Sequence, residues 1–326
     1  MISLYYLLLS LSIGIIIDLM CGDPTNKYHP VAWLGKIIAL SIPKLKEENN
    51  FQKKEKVNGI IFAITLIIVF GLTIYCIILA SFHLLGTIVT IVISALILKI
   101  TIAIRGMEKH SQVIICALEE KDLKRAQYNL SMIVRRDTKE LDEPHIISGT
   151  IECIGESTVD GIISPLFYFS FLGPVGAFIN RLINTLDSMI GYKDDPYQYI
   201  GWMSAKLDTY SNFIPARIVA LLMVISAKII GADWKNSIQV LLRDHNKTFS
   251  PNAGYPIAAM AGALRIKLEK IGHYSLGEEY EFVSVEKCKI AISIMKLTTA
   301  LFCISLSIPI IAILYLIGWW KLILGF

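Results

Sequence analysis

The sequence has little charge for its length. Charged residues make up 18% of the 326 residues, while hydrophobic residues make up 54%, whereas a soluble domain carries about 25% charged residues. The mean hydropathy of +0.58 means that much of the surface must contact lipid rather than water. The net charge of +4 is small, and the basic residues are dispersed along the chain. A nucleic-acid partner is therefore excluded, because its binding groove would need clustered Lys and Arg.

Several motifs are also absent. The six cysteines show no CxxC spacing, so neither a disulfide framework nor a zinc site is indicated. No GxxxxGK[ST], GxGxxG or HExxH motif is present, which excludes the familiar soluble nucleotide-binding modules and zinc peptidases. Asp160-Gly161 continues as Ile-Ile-Ser-Pro, unlike the opening of membrane alcohol phosphotransferases. The first apolar segment lacks the basic start and cleavage site of a secretory signal, so we expect a retained membrane helix.

Long apolar segments are what the sequence does have. A helix of about 20 apolar residues crosses a bilayer, and residues 3–20, 59–80, 84–104 and 299–320 approach that length. Residues 162–180 and 213–232 either span or re-enter the membrane. We favour re-entry, because broken helices are tolerated where protein buries them. The predicted fold is an all-α polytopic integral membrane protein with roughly four to six membrane helices, some of them broken, in a single membrane domain over residues 1–326.

The distribution of Lys and Arg predicts the orientation. Basic residues concentrate in residues 21–58, 105–160 and 233–296, which the positive-inside rule places in the cytoplasm as helical loops. The connection around residues 81–85 has no Lys or Arg, so we expect it outside, as the turn of a transmembrane hairpin. We therefore expect a protein of the cell membrane whose polar chemistry faces the cytoplasm.

Three carboxylates follow one another at four-residue spacing. Glu152, Glu156 and Asp160 fall on one helical stripe, where like charges repel unless something neutralises them. Magnesium prefers one or two carboxylates together with phosphate oxygens, so the stripe could hold a magnesium nucleotide. The alternative is that Arg135, Arg136 or solvent neutralises these carboxylates.

Two further segments carry short polar side chains. Gly and Pro around Asp23, with His29 shortly after, predict a tight turn that presents both side chains at the membrane surface; the alternative is a simple helix stop. Asn184, Asp187 and Ser188 suit phosphate or amide recognition, but also helix capping. Tyr192 and Arg217 lie further along the same polar region.

Residues 250–254 form a turn before a run of small residues. Ser250, Asn252 and Gly254 precede a predicted helix, whose N-terminal N–H groups can bind an anion. A simple turn with Pro256 near the first helical position fits equally well. The small-residue run over residues 258–263 also suits close packing between helices.

Together these segments resemble the CobD/CbiB family of cobalamin-biosynthesis membrane proteins, the adenosylcobinamide-phosphate synthases. The resemblance covers nearly the whole chain and many unlike motifs in one order. These are Asp18 to Asp23-Pro24 with His29-Pro30-Val31, Arg136-Asp137-Thr138, Glu152 with Glu156-Ser157, Asp160-Gly161 with Ser164-Pro165, Asn184-Thr185-Leu186-Asp187-Ser188 with Gly191-Tyr192, Asp208, Pro215-Ala216-Arg217, and Ser250-Pro251-Asn252-Ala253-Gly254 with residues 258–264.

The resemblance implies an amide ligase that depends on ATP and Mg²⁺. Its substrates are adenosylcobyric acid and either aminopropanol phosphate or ethanolamine phosphate, which is joined to the free propionate of the corrinoid. Its other partners are membrane lipid and later enzymes of the corrinoid pathway. As a hypothesis we assign magnesium to Glu152, Glu156 and Asp160, and the amine proton to Asp23 or Asp187. The hypothesis assigns substrate and phosphate binding to His29, Arg135, Arg136, Asn184, Ser188, Tyr192, Arg217, Ser250, Asn252 and Gly254.

The alternative is a corrinoid transporter or a non-catalytic membrane scaffold. A transporter is typically built from repeats, with binding sites at paired broken helices. The sequence shows no internal repeat, and most of its charges lie in the predicted loops, so we favour the ligase.

Overall fold

The computed structural model describes residues 2–22, 30–46, 52–192 and 197–324. This part of the chain is almost entirely helical, so the predicted all-α class is confirmed. The helices are α1 (Ile2–Cys21), α2 (Pro30–Leu45), α3 (Gln52–Leu85), α4 (Thr87–Lys99), α5 (Ile104–Glu119), α6 (Leu123–Ser131), α7 (Glu143–Thr158), α8 (Ser164–Ile190), α9 (Trp202–Ser211), α10 (Phe213–Ile229), α11 (Trp234–Asp244), α12 (Gly254–Leu264), α13 (Val285–Phe302), α14 (Ile308–Leu316) and α15 (Trp319–Leu324). Strands β1 (Leu268–Lys270) and β2 (Tyr274–Leu276) pair as an antiparallel hairpin, and Val159–Ile163 and Cys303–Ser307 are π-helical.

The described residues contain five helical segments that are long and apolar enough to cross a membrane. They are Leu4–Cys21, Gln52–Leu85, Thr87–Glu119, Glu143–Ile190 and Val285–Leu316. A sixth would be Trp202–Ser211 with Phe213–Ile229, bent by 43°. All six segments expected from hydropathy overlap these helices, so the chain is a multi-pass membrane protein. Whether the bent pair spans or re-enters stays a prediction.

Some boundaries differ from the sequence prediction. Helix α3 continues to Leu85, so the connection expected over residues 81–85 is helical, and the chain breaks at Gly86, whose φ of 82° favours glycine. The last apolar segment belongs to a helix that starts at Val285 rather than near residue 299. This helix includes Lys296, whose Nζ lies 2.5 Å from Glu108 Oε1 of α5. The ion pair explains how a lysine lies inside the apolar helix.

The chain divides into two compact units, and the first comprises residues 1–103, 164–211 and 306–326. In this unit α1 packs closely on α4, and the Tyr6 hydroxyl lies 2.5 Å from Ser94 Oγ. Another core lies between α2, α3, α4 and α8, where buried aliphatic residues surround Phe178. Helix α8 is kinked at Gly173, whose φ is 64°, immediately before Pro174. The Gly and Pro that interrupt the apolar pattern therefore bend the helix without ending it.

The second unit comprises residues 104–163 and 212–305. Its centre is α12, whose residues are all buried except the partly buried Tyr255, and which packs against α11. A Cβ at Gly262 would lie 2.6 Å from Ser237 Cα, and Ser237 Oγ donates a hydrogen bond to Ala259 O. The close-packing interpretation of the small-residue run is therefore confirmed.

A buried carboxylate ties α11 to the segment after β2. Asp244 is fully buried and accepts hydrogen bonds from Arg243 and from the Gly277 N–H, while Lys247 Nζ lies 2.6 Å away. Burial alone would raise its pKa, but these donors and the positive charge of Arg243 hold the pKa of Asp244 well below its usual range. The charged form of Asp244 therefore stabilises the fold.

Gly262→Val should destabilise the second unit. The added side chain must push α11 away from α12, which costs about 1–3 kcal/mol for an overpacked core. Thermal unfolding in detergent measures the loss. The control is Gly35→Ala, because a Cβ there meets only Met189 Sδ at 3.8 Å. Equal melting temperatures for the two variants would contradict the close packing.

Asp244 should make stability depend on pH in acid. Because its folded pKa is depressed, its contribution is complete above the unfolded value of 3.8 and is lost as pH falls through the lower folded pKa. Asp244→Asn should cost about 2 kcal/mol at neutral pH and flatten the acid part of the stability curve. The control is Glu279→Gln, an exposed residue of the same segment. A variant with an unchanged acid profile would refute the assignment.

Candidate functional site

A polar cavity of about 260 Å³ lies in the second unit. Three segments form it: the chain between α6 and α7, one face of α7, and the β1–β2 hairpin. Its lining residues are Ile133, Val134, Arg135, Arg136, Gly149, Glu152, Cys153, Glu156, Lys270 and Tyr274. Four of the residues predicted to act together, the two arginines and two of the three carboxylates, therefore line one cavity.

Helix α7 carries polar residues four positions apart, and it therefore presents them on one face, toward the cavity. Asp142 caps the helix by accepting a hydrogen bond from the His145 N–H, and Pro144 lies in the first turn. Ser148, Glu152 and Glu156 then follow at four-residue intervals, which places their side chains on one stripe. The carboxylate stripe expected from sequence is thus helical as far as Glu156.

The segment before α7 is held against α6 and α7 by polar contacts. Thr138 Oγ1 donates to Gln127 O, and Gln127 Nε2 donates to Leu141 O. Cys153 Sγ lies 3.4 Å from Ile133 O. These contacts hold Arg135 and Arg136 beside the face of α7, although no regular secondary structure carries them.

Arg136 depends on a glycine for its position. A Cβ at Gly149 would lie only 2.1 Å from Arg136 Nη2, so the guanidinium occupies the space that any other residue would fill. Its Nη2 lies 3.8 Å from Glu152 Oε1. Nε and Nη2 are both buried and make no hydrogen bond within the described residues. The arginine therefore retains donors that a ligand in the cavity could use.

Glu152 is held in place by its neighbours. It is 6% exposed, and its two oxygens accept hydrogen bonds of 2.9 Å from Ser148 Oγ and from the Tyr274 hydroxyl. Burial, with the nearby carboxylates of Glu152 and Glu156, raises the pKa of Tyr274. The phenol therefore stays protonated and can donate to Glu152 at all ordinary pH values.

Glu156 and Lys270 differ from Glu152 in having no such partners. Neither makes a hydrogen bond or an ion pair with another described residue, although Lys270 Nζ lies 6.0 Å from the centre of the Tyr274 ring. With Arg135 and Arg136, the cavity holds three cations against two carboxylates. Such a lining suits an anion with several oxygens, or an anion together with a metal ion.

The three carboxylates predicted to bind magnesium do not all face this cavity. Asp160 is absent from its lining, because the π-helical turn starts at Val159 and ends the regular four-residue repeat. The described residues contain no group of three or more His, Cys, Asp or Glu side chains placed to hold a metal ion. The magnesium assignment stays a prediction, with Glu152 and Glu156 as the carboxylates in the cavity.

The residues predicted around the turn before α12 form a second cluster in the same unit. Arg217 Cζ lies 3.5 Å from the centre of the Phe213 ring and 4.3 Å from that of Tyr255. Its Nη1 donates to Asn252 Oδ1 at 3.3 Å. Ser250 Oγ accepts from the N–H groups of Asn252 and Ala253, and α12 starts at Gly254. Ser250 therefore closes a turn immediately before α12, and anion binding at this turn stays a prediction.

The residues predicted near position 187 lie in the first unit, within the last turns of α8. Asn184, Asp187 and Ser188 are inside this helix, which excludes the N-capping alternative. Arg181 Nη1 lies 3.5 Å from Asn184 Oδ1, and the Tyr192 hydroxyl donates to Ser188 O. A Cβ at Gly191 would lie 1.9 Å from Asp187 Oδ1, so Gly191 makes room for this carboxylate. Asp23 and His29 lie outside the described residues.

Sequence reasoning missed Gly149, Lys270 and Tyr274, which line the cavity, and Ser148, which donates a hydrogen bond to Glu152. Ser148 and Gly149 are part of α7 but carry no charge, so the carboxylate spacing did not indicate them. Lys270 and Tyr274 belong to strands of only three residues each, which are too short for a periodic pattern. The one available signal was Gly272, whose φ of 74° forms the turn between the strands.

Comparison with known proteins shows which family the chain belongs to. The family model described as "CobD/Cbib protein" matches residues 11–302. The "Probable cobalamin biosynthesis protein CobD" of Methanothermobacter thermautotrophicus is 37% identical over 292 residues, which cover 90% of this chain and 94% of the relative. The "Cobalamin biosynthesis protein CobD" of Clostridium perfringens is 38% identical over 270 residues, covering 82% and 84%.

A further relative, the "Cobalamin biosynthesis protein CobD" of Dehalococcoides mccartyi, is 37% identical over 274 residues, which cover 84% of this chain and 87% of the relative. No solved structure matches the chain. Since the family model and these relatives each cover most of the chain, the protein belongs to the CobD/CbiB family.

Proposed function

We propose that this protein acts in cobalamin biosynthesis as an ATP-dependent amide ligase. It joins an amino-alcohol phosphate, aminopropanol phosphate or ethanolamine phosphate, to the free propionate of adenosylcobyric acid, giving adenosylcobinamide phosphate. Family membership supports the pathway. The observation that carries the chemistry is the cavity in which Arg136 retains buried, unbonded donors beside Arg135, Lys270 and Glu156.

The reaction needs the type of environment that this cavity provides. A carboxylate is a poor electrophile, so it is first activated by phosphoryl transfer from ATP, and the amine then displaces phosphate from the acyl phosphate. Such transfers depend mainly on positioning and on neutralising phosphate charge. In the proposal Arg135 and Arg136 bind phosphate oxygens, with Arg136 preorganised by Gly149 and Glu152.

Glu156 is the side chain that we assign to magnesium, with Glu152 next to it on α7. The donor set fits this ion, because Mg²⁺ takes one or two carboxylates and completes its shell with water and phosphate oxygens. When bound, the ion would neutralise charge on the transferring phosphoryl group. Glu156 has no hydrogen-bond or ion-pair partner among the described residues, whereas both oxygens of Glu152 already accept hydrogen bonds.

Acceptance of the amine proton is assigned to Asp187 or Asp23. Asp187 is partly buried in the first unit, where Gly191 leaves space beside its carboxylate. We further propose that the cavity faces the cytoplasm, since the segments that form it come from the basic regions of the chain.

Ligation can be tested directly with purified protein. Incubation with adenosylcobyric acid, aminopropanol phosphate, ATP and Mg²⁺ should give a product whose mass equals that of the two substrates joined with loss of water. Ethanolamine phosphate should replace aminopropanol phosphate in a parallel reaction. Binding of the corrinoid without product from either amine would instead support the non-catalytic scaffold.

Glu156→Gln should impair the use of magnesium. The amide keeps the size of the side chain but loses the charge that attracts the ion, so the Mg²⁺ concentration for half-maximal activity should rise by roughly tenfold or more. Titration of activity with Mg²⁺ measures the change. Glu143→Gln serves as control, because Glu143 is an exposed residue of the same helix. A variant with unchanged magnesium dependence would disprove the assignment.

Gly149→Ala should displace Arg136 and weaken binding of the phosphate-bearing substrates. The new methyl group would overlap Nη2, and the loss of one charged hydrogen-bond donor corresponds to about a tenfold increase in KM. The control is Gly155→Ala on the same helix, where a Cβ meets atoms no closer than 3.6 Å. Steady-state kinetics measures KM for both variants. Equal KM values for Gly149→Ala and Gly155→Ala would show that Arg136 does not bind substrate.

A further inference from the structure

The β1–β2 hairpin is attached to α7 by two side chains of that helix, Glu152 and Ser148. Glu152 accepts one hydrogen bond from Tyr274 of β2, and a second from Ser148 of its own helix. Ser148 Oγ in turn accepts a hydrogen bond of 2.8 Å from the N–H of Glu269 in β1 and lies 3.3 Å from Glu269 O. Both strands are therefore connected to Glu152, one directly and one through Ser148.

The hairpin is short and needs this attachment. Each strand has three residues, and an isolated two-stranded hairpin is marginally stable in water. Leu268 and Leu276 are cross-strand partners and both are fully buried, so they anchor the base of the hairpin. The far end has no buried pair of this kind: Ile271, Gly272 and His273 are exposed, and the His273 ring contacts the exposed ring of Phe249, with ring centres 5.6 Å apart. Tyr274, one residue from the turn, is where α7 holds this far end.

This attachment positions Lys270 at the cavity. It is the cross-strand partner of Tyr274, so the two side chains lie on the same face of the hairpin, and both line the cavity. Its ammonium group has no hydrogen bond or ion pair to another described residue. Lys267, just before β1, instead pairs with Glu269 at 2.7 Å and is absent from the cavity lining.

From this geometry we infer that the hairpin is a ligand-binding element in which Glu152 is a positioning residue and Lys270 binds a phosphate group. Glu152 fixes Tyr274 and Ser148, and these fix the hairpin so that Lys270 lines the same cavity as Arg136. The inference rests on the proposed function only for the identity of the phosphate-bearing substrate. It separates the two neighbouring carboxylates: Glu152 acts through the hairpin, while Glu156 faces the ligand.

The chemistry of the lining supports a phosphate rather than a carboxylate ligand. Arg136 offers two buried donors, Nε and Nη2, while Lys270 offers a compact point charge from the wall that the hairpin forms. A phosphate group has enough oxygens to accept from both walls at once, whereas a carboxylate has two oxygens in one plane. The net positive charge of the cavity lining further favours phosphate, because phosphate carries more negative charge than a carboxylate.

The test compares full-length variants by two measurements. The first is amide hydrogen exchange of the hairpin without ligand, and the second is binding of inorganic pyrophosphate, followed by calorimetry in detergent. Tyr274→Phe removes the direct bond from β2 to Glu152 and should accelerate exchange of residues 270–275 by about fivefold or more, the equivalent of losing about 1 kcal/mol. It should also weaken pyrophosphate binding.

Lys270→Ala should weaken pyrophosphate binding at least tenfold while leaving hairpin exchange unchanged, and Lys270→Arg should restore most of the affinity. Lys267→Ala is the matched control and should bind as the unaltered protein does. In the ligase assay Lys270→Ala should raise KM for the phosphate-bearing substrate more than it lowers kcat. If Lys270 had only a structural role, Lys270→Ala would not raise KM more than it lowers kcat, and Lys270→Arg would not restore the affinity.

The inference is overturned if Tyr274→Phe leaves hairpin exchange unchanged, if Lys270→Ala and Lys267→Ala bind equally, or if the unaltered protein fails to bind pyrophosphate. These outcomes are separate from failure of the proposed function. Absence of amide product from the unaltered protein would refute the ligase, while pyrophosphate binding and hairpin exchange would still decide on Glu152 and Lys270.

Discussion

Burial of Glu152 against Arg136, Ser148 and Tyr274 is the interaction on which the cavity depends. A carboxylate taken out of water needs charge and hydrogen bonds around it. Here those partners come from a segment before the helix, from the helix itself and from a hairpin more than a hundred residues later. Satisfying one buried group therefore assembles the three walls of the site.

The same requirement governs the apolar helices. Three pairs of polar side chains lie between these helices: Tyr6 contacts Ser94 between α1 and α4, Ser226 contacts Thr298 between α10 and α13, and Lys296 contacts Glu108 between α13 and α5. Each pair joins two helices and so contributes to the specificity of packing, which apolar contacts alone provide poorly in lipid. Glycine complements these pairs by allowing backbones to approach, as Gly262 does between α11 and α12.

Within α7 two carboxylates separated by one helical turn have different surroundings. Glu152 is saturated by protein donors, whereas Glu156 has none and faces the cavity together with Lys270. Their spacing is identical to that of an ordinary acidic stripe, so the distinction arises from the side chains that surround Glu152: Arg136, Ser148 and Tyr274. A site that combines an open carboxylate with unbonded arginine donors suits a phosphate and its metal ion better than it suits a simple salt bridge.

The sequence by itself determined the helical membrane class and the apolar segments, and its motifs grouped Arg135 and Arg136 with Glu152 and Glu156, which line one cavity. It could do so because hydropathy and a four-residue repeat are local properties of the chain. Only the tertiary structure decided that Asp160 leaves the stripe at a π-helical turn, that Gly149 makes room for Arg136, and that Lys270 and Tyr274 complete the lining. These outcomes depend on contacts between distant segments. Strands of three residues are too short for a local sequence pattern to predict which helix the strands will contact.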